Sequence, residues 1–375
     1  MAGIYIHVPF CKQACYYCDF HFSTNLSLTS DYCECLLNEI SLETGYLNGE
    51  SIETIYFGGG TPSILDSKEL AKMLTSVQKQ YNVTDDPEVT IEANPDDLDP
   101  VKTADLFEMG FNRLSIGIQS FHEKTLQYLH RVHNSRMAIE AYDTARNVGF
   151  NNINIDLIFA VHPDSSNILN DDLTQAINLN PEHISIYNLT IETSTVFGNW
   201  LKKGKIHKTG EEESAKQYEI LINRLEADNY IHYEISNFSR QGWESKHNIN
   251  YWTGKSYLGI GPGAHSFNQQ SRQFNIKNNA RYIQSLREDT IPFEMIDLSK
   301  EELTNEYILT NLRTKWGINL ALFEKKFSFS LLELKRSKVE FLKENGWISN
   351  DPSILRLTNK GKLLADSIAS DLFID

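Results

Sequence analysis

Residues 3–18 read GIYIHVPFCKQACYYC. Ile4, Ile6 and Val8 alternate with Tyr5 and His7, the period of a strand with one apolar face. Directly behind it stand Cys11, Cys15 and Cys18, a C-x3-C-x2-C spacing. Three thiolates in so tight a loop can hold three irons of a [4Fe-4S] cluster, which leaves the fourth iron open to a small molecule. Clusters that only carry electrons take four cysteines. The same loop also allows a Cys3His zinc site completed by His21, because closed structural zinc takes four ligands. Cys33 and Cys35 fall in a predicted helix and read as ordinary small side chains.

Beyond this stretch, short apolar strands alternate with amphipathic helices over the first two thirds of the chain. Strands are expected at Gly3–Val8, Thr54–Phe57, Glu88–Glu92, Arg113–Gln119, Asn152–Phe159 and His183–Leu189. The clearest helix is Ser67–Gln80, with Leu70, Met73, Leu74 and Val77 on one stripe and Asp66 and Glu69 as its N-cap and N3 pair. Another spans Glu211–Asp228. Six strand–helix units in series imply a parallel sheet with right-handed crossovers. In each strand one face is apolar and the other is polar or small. Leu114, Ile116 and Ile118 oppose Ser115, Gly117 and Gln119, and Ile153, Ile155 and Leu157 oppose Asn152, Asn154 and Asp156. A closed eight-stranded barrel fills its lumen with branched apolar side chains. The expected fold is therefore α/β, a partial (β/α)6 TIM-type barrel whose lumen holds a polar ligand.

The chain has 375 residues, 41% of them hydrophobic and 23% charged, the balance of a globular protein. This excludes disordered, collagenous and rod-like classes. No apolar run approaches the roughly 18 residues of a membrane span, and MAGIYIHVPF has no signal-peptide pattern. Clustered thiols without an export signal imply a reducing, cytoplasmic setting. A net charge of −15 disfavours nucleic acid and anionic lipid as partners.

The core is expected to span residues 1–235. Residues 236–290, rich in Gly, Asn, Ser and aromatics around 237–267, read as an ordered loop region. Residues 291–375 read as a small, mainly helical, winged-helix-like module. Its helices are expected near Glu301–Arg313, Leu320–Phe327, Leu331–Asn345 and Lys360–Leu372, with a strand–turn–strand at Trp347–Leu357. Its 12 basic and 13 acidic residues make it a lid or docking module rather than a DNA-binding one.

Gly58-Gly59-Gly60-Thr61 follows the second strand, where glycines let backbone approach a ligand closely. In parallel barrels ligands bind at the C-terminal strand ends. The cysteine loop, the glycines, Glu92 and Gln119 all fall on that edge.

YIHVPFCKQACYYC (5–18) and YFGGGTP (56–62) resemble the radical S-adenosylmethionine (SAM) enzymes, specifically the branch that holds oxygen-independent coproporphyrinogen III dehydrogenase and the HemW heme chaperones. The resemblance extends through IEANPDDL (91–98), RLSIGIQSF (113–121), LHRVH (129–133), NIDLIF (154–159), HISIYNLTIE (183–192), YEISNFS (233–239), HNINYW (247–252) and GIGPGAHSF (259–267). It implies that the open iron chelates SAM, and that an electron delivered to the sulfonium gives a 5′-deoxyadenosyl radical. It also implies SAM contacts from Tyr5, the Gly59–Gly60 loop, Thr61, Glu92, Gln119, Arg131 and Asp156. Arg131 would hold a carboxylate through paired hydrogen bonds.

Two departures separate the branches. Phe20 stands where the dehydrogenase has a further cysteine, and only ten residues precede Cys11. Both resemble the chaperones, as does HNINYW. The resemblance then implies haem as cargo, a haem-acceptor protein, an electron donor and a permitted homodimer. His247 is the expected haem ligand, imidazole being the usual proximal one, with His265 a weaker candidate. The alternative is a coproporphyrinogen III dehydrogenase acting through the radical. One local departure remains: where the family usually continues the fifth strand as DLIYGLP, this chain reads DLIFAVHP, with Ala160 and His162.

Overall fold

A computed structural model of the chain describes residues 1–162 and 166–374. Six parallel strands form its centre: β1 (Ala2–Val8), β2 (Ile52–Gly59), β3 (Val83–Ala93), β4 (Arg113–Gln119), β5 (Ile153–Phe159) and β6 (His183–Asn188). They lie side by side in chain order, as successive right-handed crossovers require. Helices cover the outer face. In Ser67–Gln80 the stripe Leu70, Met73, Leu74 and Val77 is buried, and Asp66 caps the helix by accepting from the Lys68 amide. The reciprocal half of the expected capping pair is absent, because Glu69 is bonded to Lys72 instead.

The register builds the lumen. Tyr5, Tyr56, Thr90 and Arg113 are successive partners across β1 to β4, and Glu92, Ser115, Asn154 and His183 across β3 to β6. One-residue slips would move these polar rows into the apolar core, so the alternation seen in the sequence sets the register. Ile4, Ile6, Ile55, Phe57, Val89, Ile91, Leu114 and Ile116 face the helices and are buried.

The segment expected to be a loop region is part of the sheet. β7 (Ile231–Glu234) and β8 (Asn237–Ser239) add antiparallel beside β6. On the other side β9 (Tyr257–Ile260) pairs parallel with β1, and β10 (His265–Phe267), β11 (Ser271–Asn275) and β12 (Phe293–Asp297) follow antiparallel. The twelve strands run in the order β12-β11-β10-β9-β1-β2-β3-β4-β5-β6-β8-β7. These added strands are short and lack sustained alternation, so their pairing depends on the core edges they meet.

The C-terminal residues have their own core, centred on Ile308, Leu312, Phe323, Leu342 and Ile368. Helices run Lys300–Leu312, Leu320–Phe327, Leu331–Leu334, Arg336–Glu344, Asn359–Lys362 and Ala365–Leu372. The expected strand–turn–strand is reduced to a bridge between Ile348 and Leu357. β13 (Ile318–Asn319) pairs instead with β14 (Ile354–Leu355). No helix among the described residues is long and apolar enough to cross a membrane.

Candidate functional site

Beyond β1 the chain turns into the cysteine loop, closed where the Ser23 amide donates to Pro9 O at 2.8 Å and the Cys11 amide to Ser23 O at 3.0 Å. A distant segment clamps it. His130 Nδ1 lies 2.8 Å from Ala14 O, Gln13 Nε2 donates to His130 O at 2.8 Å, and the Tyr16 ring stacks on His130 with centroids 4.1 Å apart. His130 itself has a left-handed φ of 61°. The next residue, Arg131, directs Nη1 to Cys15 Sγ at 3.3 Å and Nη2 to Asn94 Oδ1 and Gly117 O at 2.6 and 2.9 Å. Thr61 Oγ1 is 3.5 Å from Cys11 Sγ. Burial pushes the Cys18 thiol up to about 11 and raises that of Cys11.

A cavity of about 420 Å³ opens over these thiols at the C-terminal strand ends. Its lining brings together Cys11, Cys15, Cys18, Gly59, Gly60, Thr61, Glu92, Gln119, Arg131 and Asp156. Each of these is a residue that the sequence pattern or the family resemblance points to. Glu92 accepts from the Tyr56 hydroxyl at 2.7 Å and the Gly59 amide at 3.1 Å, and its burial pushes its carboxyl up to about 7. Asp156 accepts from Asn154 Nδ2 at 2.8 Å and Ser115 Oγ at 3.2 Å, and burial raises it too. Gln119 sits at a register slip with φ 68°, strain of the kind held at binding sites. Its side chain has no hydrogen-bond partner among the described residues.

The glycines serve the chain's own packing. A Cβ at Gly60 would meet Phe10 O at 2.6 Å and Val8 O at 2.8 Å, and one at Gly59 would meet the His7 ring at 2.5 Å. The loop is thereby pressed against the base of the cysteine loop. Tyr5 does not line the cavity. Its hydroxyl is 3.1 Å from His7 Nδ1, and its ring packs beside that of Tyr56.

Two readings are corrected by the geometry. His21 is turned away from the thiols, with Nε2 2.7 Å from Asn279 Oδ1 and its ring stacked on His7. Among the described residues no three His, Cys, Asp or Glu side chains converge as ligands of one ion. Three thiols that each take a separate iron of a cube need no such convergence. His247 is the second correction. It is 2% exposed and lies at the opposite, N-terminal ends of the strands, against Gly3 and Thr54. Nδ1 is 2.8 Å from Thr54 Oγ1 and Nε2 is 3.0 Å from the Tyr251 hydroxyl. Neither ring nitrogen is left for an iron.

The residues fit a cluster with SAM on it. Among the described residues a buried Arg131 Nε lacks a hydrogen-bond partner and Gln119 is unengaged, and two carboxylates face the same space as the thiols. Sequence reasoning missed Tyr56, Asn94, Arg113 and His130. Tyr56 and Arg113 could have been found by extending the alternation along their strands. Asn94 and His130 lie in loops, where no period places a side chain.

The radical SAM superfamily pattern matches residues 5–171, and that of the HemN C-terminal domain matches residues 298–364. The chain is 35% identical over 371 residues to the heme chaperone HemW of Bacillus subtilis (strain 168), which covers 98% of both chains. The chain belongs to the HemW family. HemW of Lactococcus lactis (strain IL1403) is 32% identical, covering 99% of this chain and 97% of the relative. Coproporphyrinogen III oxidase (HemN) from Escherichia coli, a radical SAM enzyme, superposes with a TM-score of 0.85. That likeness, at 21% identity over 99% of this chain and 90% of that one, concerns the fold alone. In the HemW-family chain described here Phe20, 73% exposed, stands at the rim of the thiol-lined cavity.

Proposed function

We propose that this chain is a haem chaperone that holds a [4Fe-4S] cluster on Cys11, Cys15 and Cys18, binds SAM beside it, and passes haem to an acceptor protein. The observation that carries the reading is a three-thiol cavity with Phe20 at its rim, in a chain similar to HemW proteins over its full length. When bound, the cluster supplies an open iron for the amino and carboxylate groups of SAM. Glu92 and Asp156 are hydrogen-bond acceptors for ribose hydroxyls or an ammonium, and Arg131 Nε and the Gln119 amide donate to anionic or carbonyl oxygens. Arg131 also lies against Cys15, its Nη1 donating to Cys15 Sγ at 3.3 Å. Cluster state and SAM would gate haem release, with an electron donor, a reducing cytoplasmic setting and a homodimer belonging to the same reading.

The rival is a coproporphyrinogen III dehydrogenase. Anaerobic reconstitution with iron and sulfide, followed by spectra with and without SAM, haem titration and a separate coproporphyrinogen assay, divides the two. We expect a SAM-perturbed cluster spectrum, saturable haem binding and no protoporphyrinogen. Formation of protoporphyrinogen would overturn the chaperone reading in favour of the enzyme.

A further inference from the structure

A second and larger cavity, about 1050 Å³, lies between the C-terminal end of β6 and the C-terminal module. It shares Asn188, Leu189 and Thr190 with the thiol-lined cavity, so the two are neighbours along one wall. Its walls are apolar on both sides, Leu189, Ile191 and Leu201 from the core facing Trp347, Leu363 and Leu364 from the module. Its cations are unusual for a chain of net charge −15. Lys208, from the core, and Lys360, from the module, are exposed and have no carboxylate within salt-bridge distance among the described residues. Lys362 joins them, its Nζ 2.8 Å from His232 Nδ1. Of the acids in the groove, Asp366 is paired with Arg313 and Glu212 with Lys216, leaving Glu211.

We propose that this groove seats the haem, with the macrocycle between the two apolar walls and its propionates on Lys208 and Lys360. The inference rests on the chaperone reading and adds where the cargo lies. A flat apolar ring with carboxylates at one edge matches two apolar walls with unpaired cations beside them. Among the described residues no His, Cys or Met lines the groove. Recognition there falls on the ring faces and the carboxylates, and the iron is left for an acceptor to ligate. The other sizeable cavity, about 540 Å³ beside Tyr251 and Trp252, offers less. Its Arg272 is paired with Glu306 and its Lys326 lies over the Tyr307 and Phe327 rings, which leaves Lys300 as its single cation without a carboxylate or ring partner among the described residues, against two in the larger groove.

The test uses the reconstituted full chain, titrated with haem, iron-free protoporphyrin and haem dimethyl ester. Wild type should bind haem and protoporphyrin with similar affinity and the ester more weakly. The double variant Lys208→Glu/Lys360→Glu should bind haem about tenfold more weakly, as two exposed ion pairs become repulsions. Its cluster spectrum and SAM binding should be unchanged, and it should bind the ester as wild type does. Lys326→Glu should leave haem affinity unaltered. Wild-type affinity in the double variant, or a loss confined to Lys326→Glu, overturns the groove assignment and leaves the chaperone reading intact. A wild-type chain that binds no porphyrin overturns that reading, and the assignment with it.

Discussion

The Tyr56 hydroxyl donates to Glu92 Oε1 at 2.7 Å, while the Tyr56 ring stacks on His247 with centroids 5.0 Å apart. One side chain thus orients a carboxylate of the thiol-lined cavity and rests on the histidine that closes the other end of the barrel. Replacing Tyr56 with Phe keeps the ring and removes the donor. A hydrogen bond to a charged group contributes about 1.5–3 kcal/mol. We expect Tyr56→Phe to fold normally and to bind SAM about tenfold more weakly by calorimetry on the reconstituted protein. Unchanged SAM affinity would show that Glu92 needs no help from Tyr56.

His247 has a structural task in this arrangement, bridging Thr54 of β2 to Tyr251 of the helix Lys246–Trp252. Burial lowers its basicity to about 3, so the ring is neutral. His247→Ala leaves two buried hydroxyls short of a partner and opens a cavity, a loss of about 2–4 kcal/mol. A lower urea midpoint, with haem affinity of the folded protein retained, is the expected result. Loss of haem binding at unchanged stability would restore His247 as a ligand.

Ala160 has φ 58°, in the left-handed region that favours glycine. Its amide donates to Gln217 Oε1 at 3.0 Å and its carbonyl accepts from the Thr209 hydroxyl at 2.7 Å, which hold the conformation in place. A left-handed alanine is strained by about 1–2 kcal/mol, partly offset by the greater unfolded entropy of glycine. Ala160→Gly should therefore raise stability by about 0.5–1 kcal/mol in a denaturant titration. A drop would mean that the alanine methyl contributes more packing than its backbone costs.

Glu39 and Glu234 are buried carboxyls, each pushed up to about 7 by burial. Glu39 accepts from the Gly261 amide, Asn275 and Tyr282, which moderate the shift. A carboxyl whose folded value exceeds its unfolded one of about 4.3 binds more protons folded than unfolded. Its contribution is complete below the unfolded value and is lost as pH rises through about 7. Stability should fall between pH 5 and 8 by up to roughly 1.4 kcal/mol per pH unit per group. Glu39→Gln should flatten that slope in urea midpoints recorded across the range. An unaltered slope would exclude Glu39 as a source.

Much of the site was legible because β-strand alternation has a period of two. Glu92, Asp156 and Gln119 sit on the polar faces of strands whose apolar partners are unmistakable, and parallel order places their C-terminal ends on one edge. The cysteines needed only their spacing. His247 was misjudged because its surroundings come from Thr54, Tyr56 and Tyr251, brought together by a helix packed under the strands. The resemblance makes Arg131 a clamp for a carboxylate, yet its Nη atoms meet Cys15, Asn94 and Gly117, three contacts supplied by separate elements.

The amino-acid order alone determined the six-strand core, the thiol triad and the polar lumen, since each is written in local spacing that backbone geometry converts directly into direction. Tertiary structure decided which polar side chains remain free. It joined residues 231–297 to the sheet edges, engaged both nitrogens of His247, and left Arg131 Nε, Lys208 and Lys360 without partners among the described residues. Whether a donor is satisfied depends on neighbours far away in the chain, and no local period carries that information.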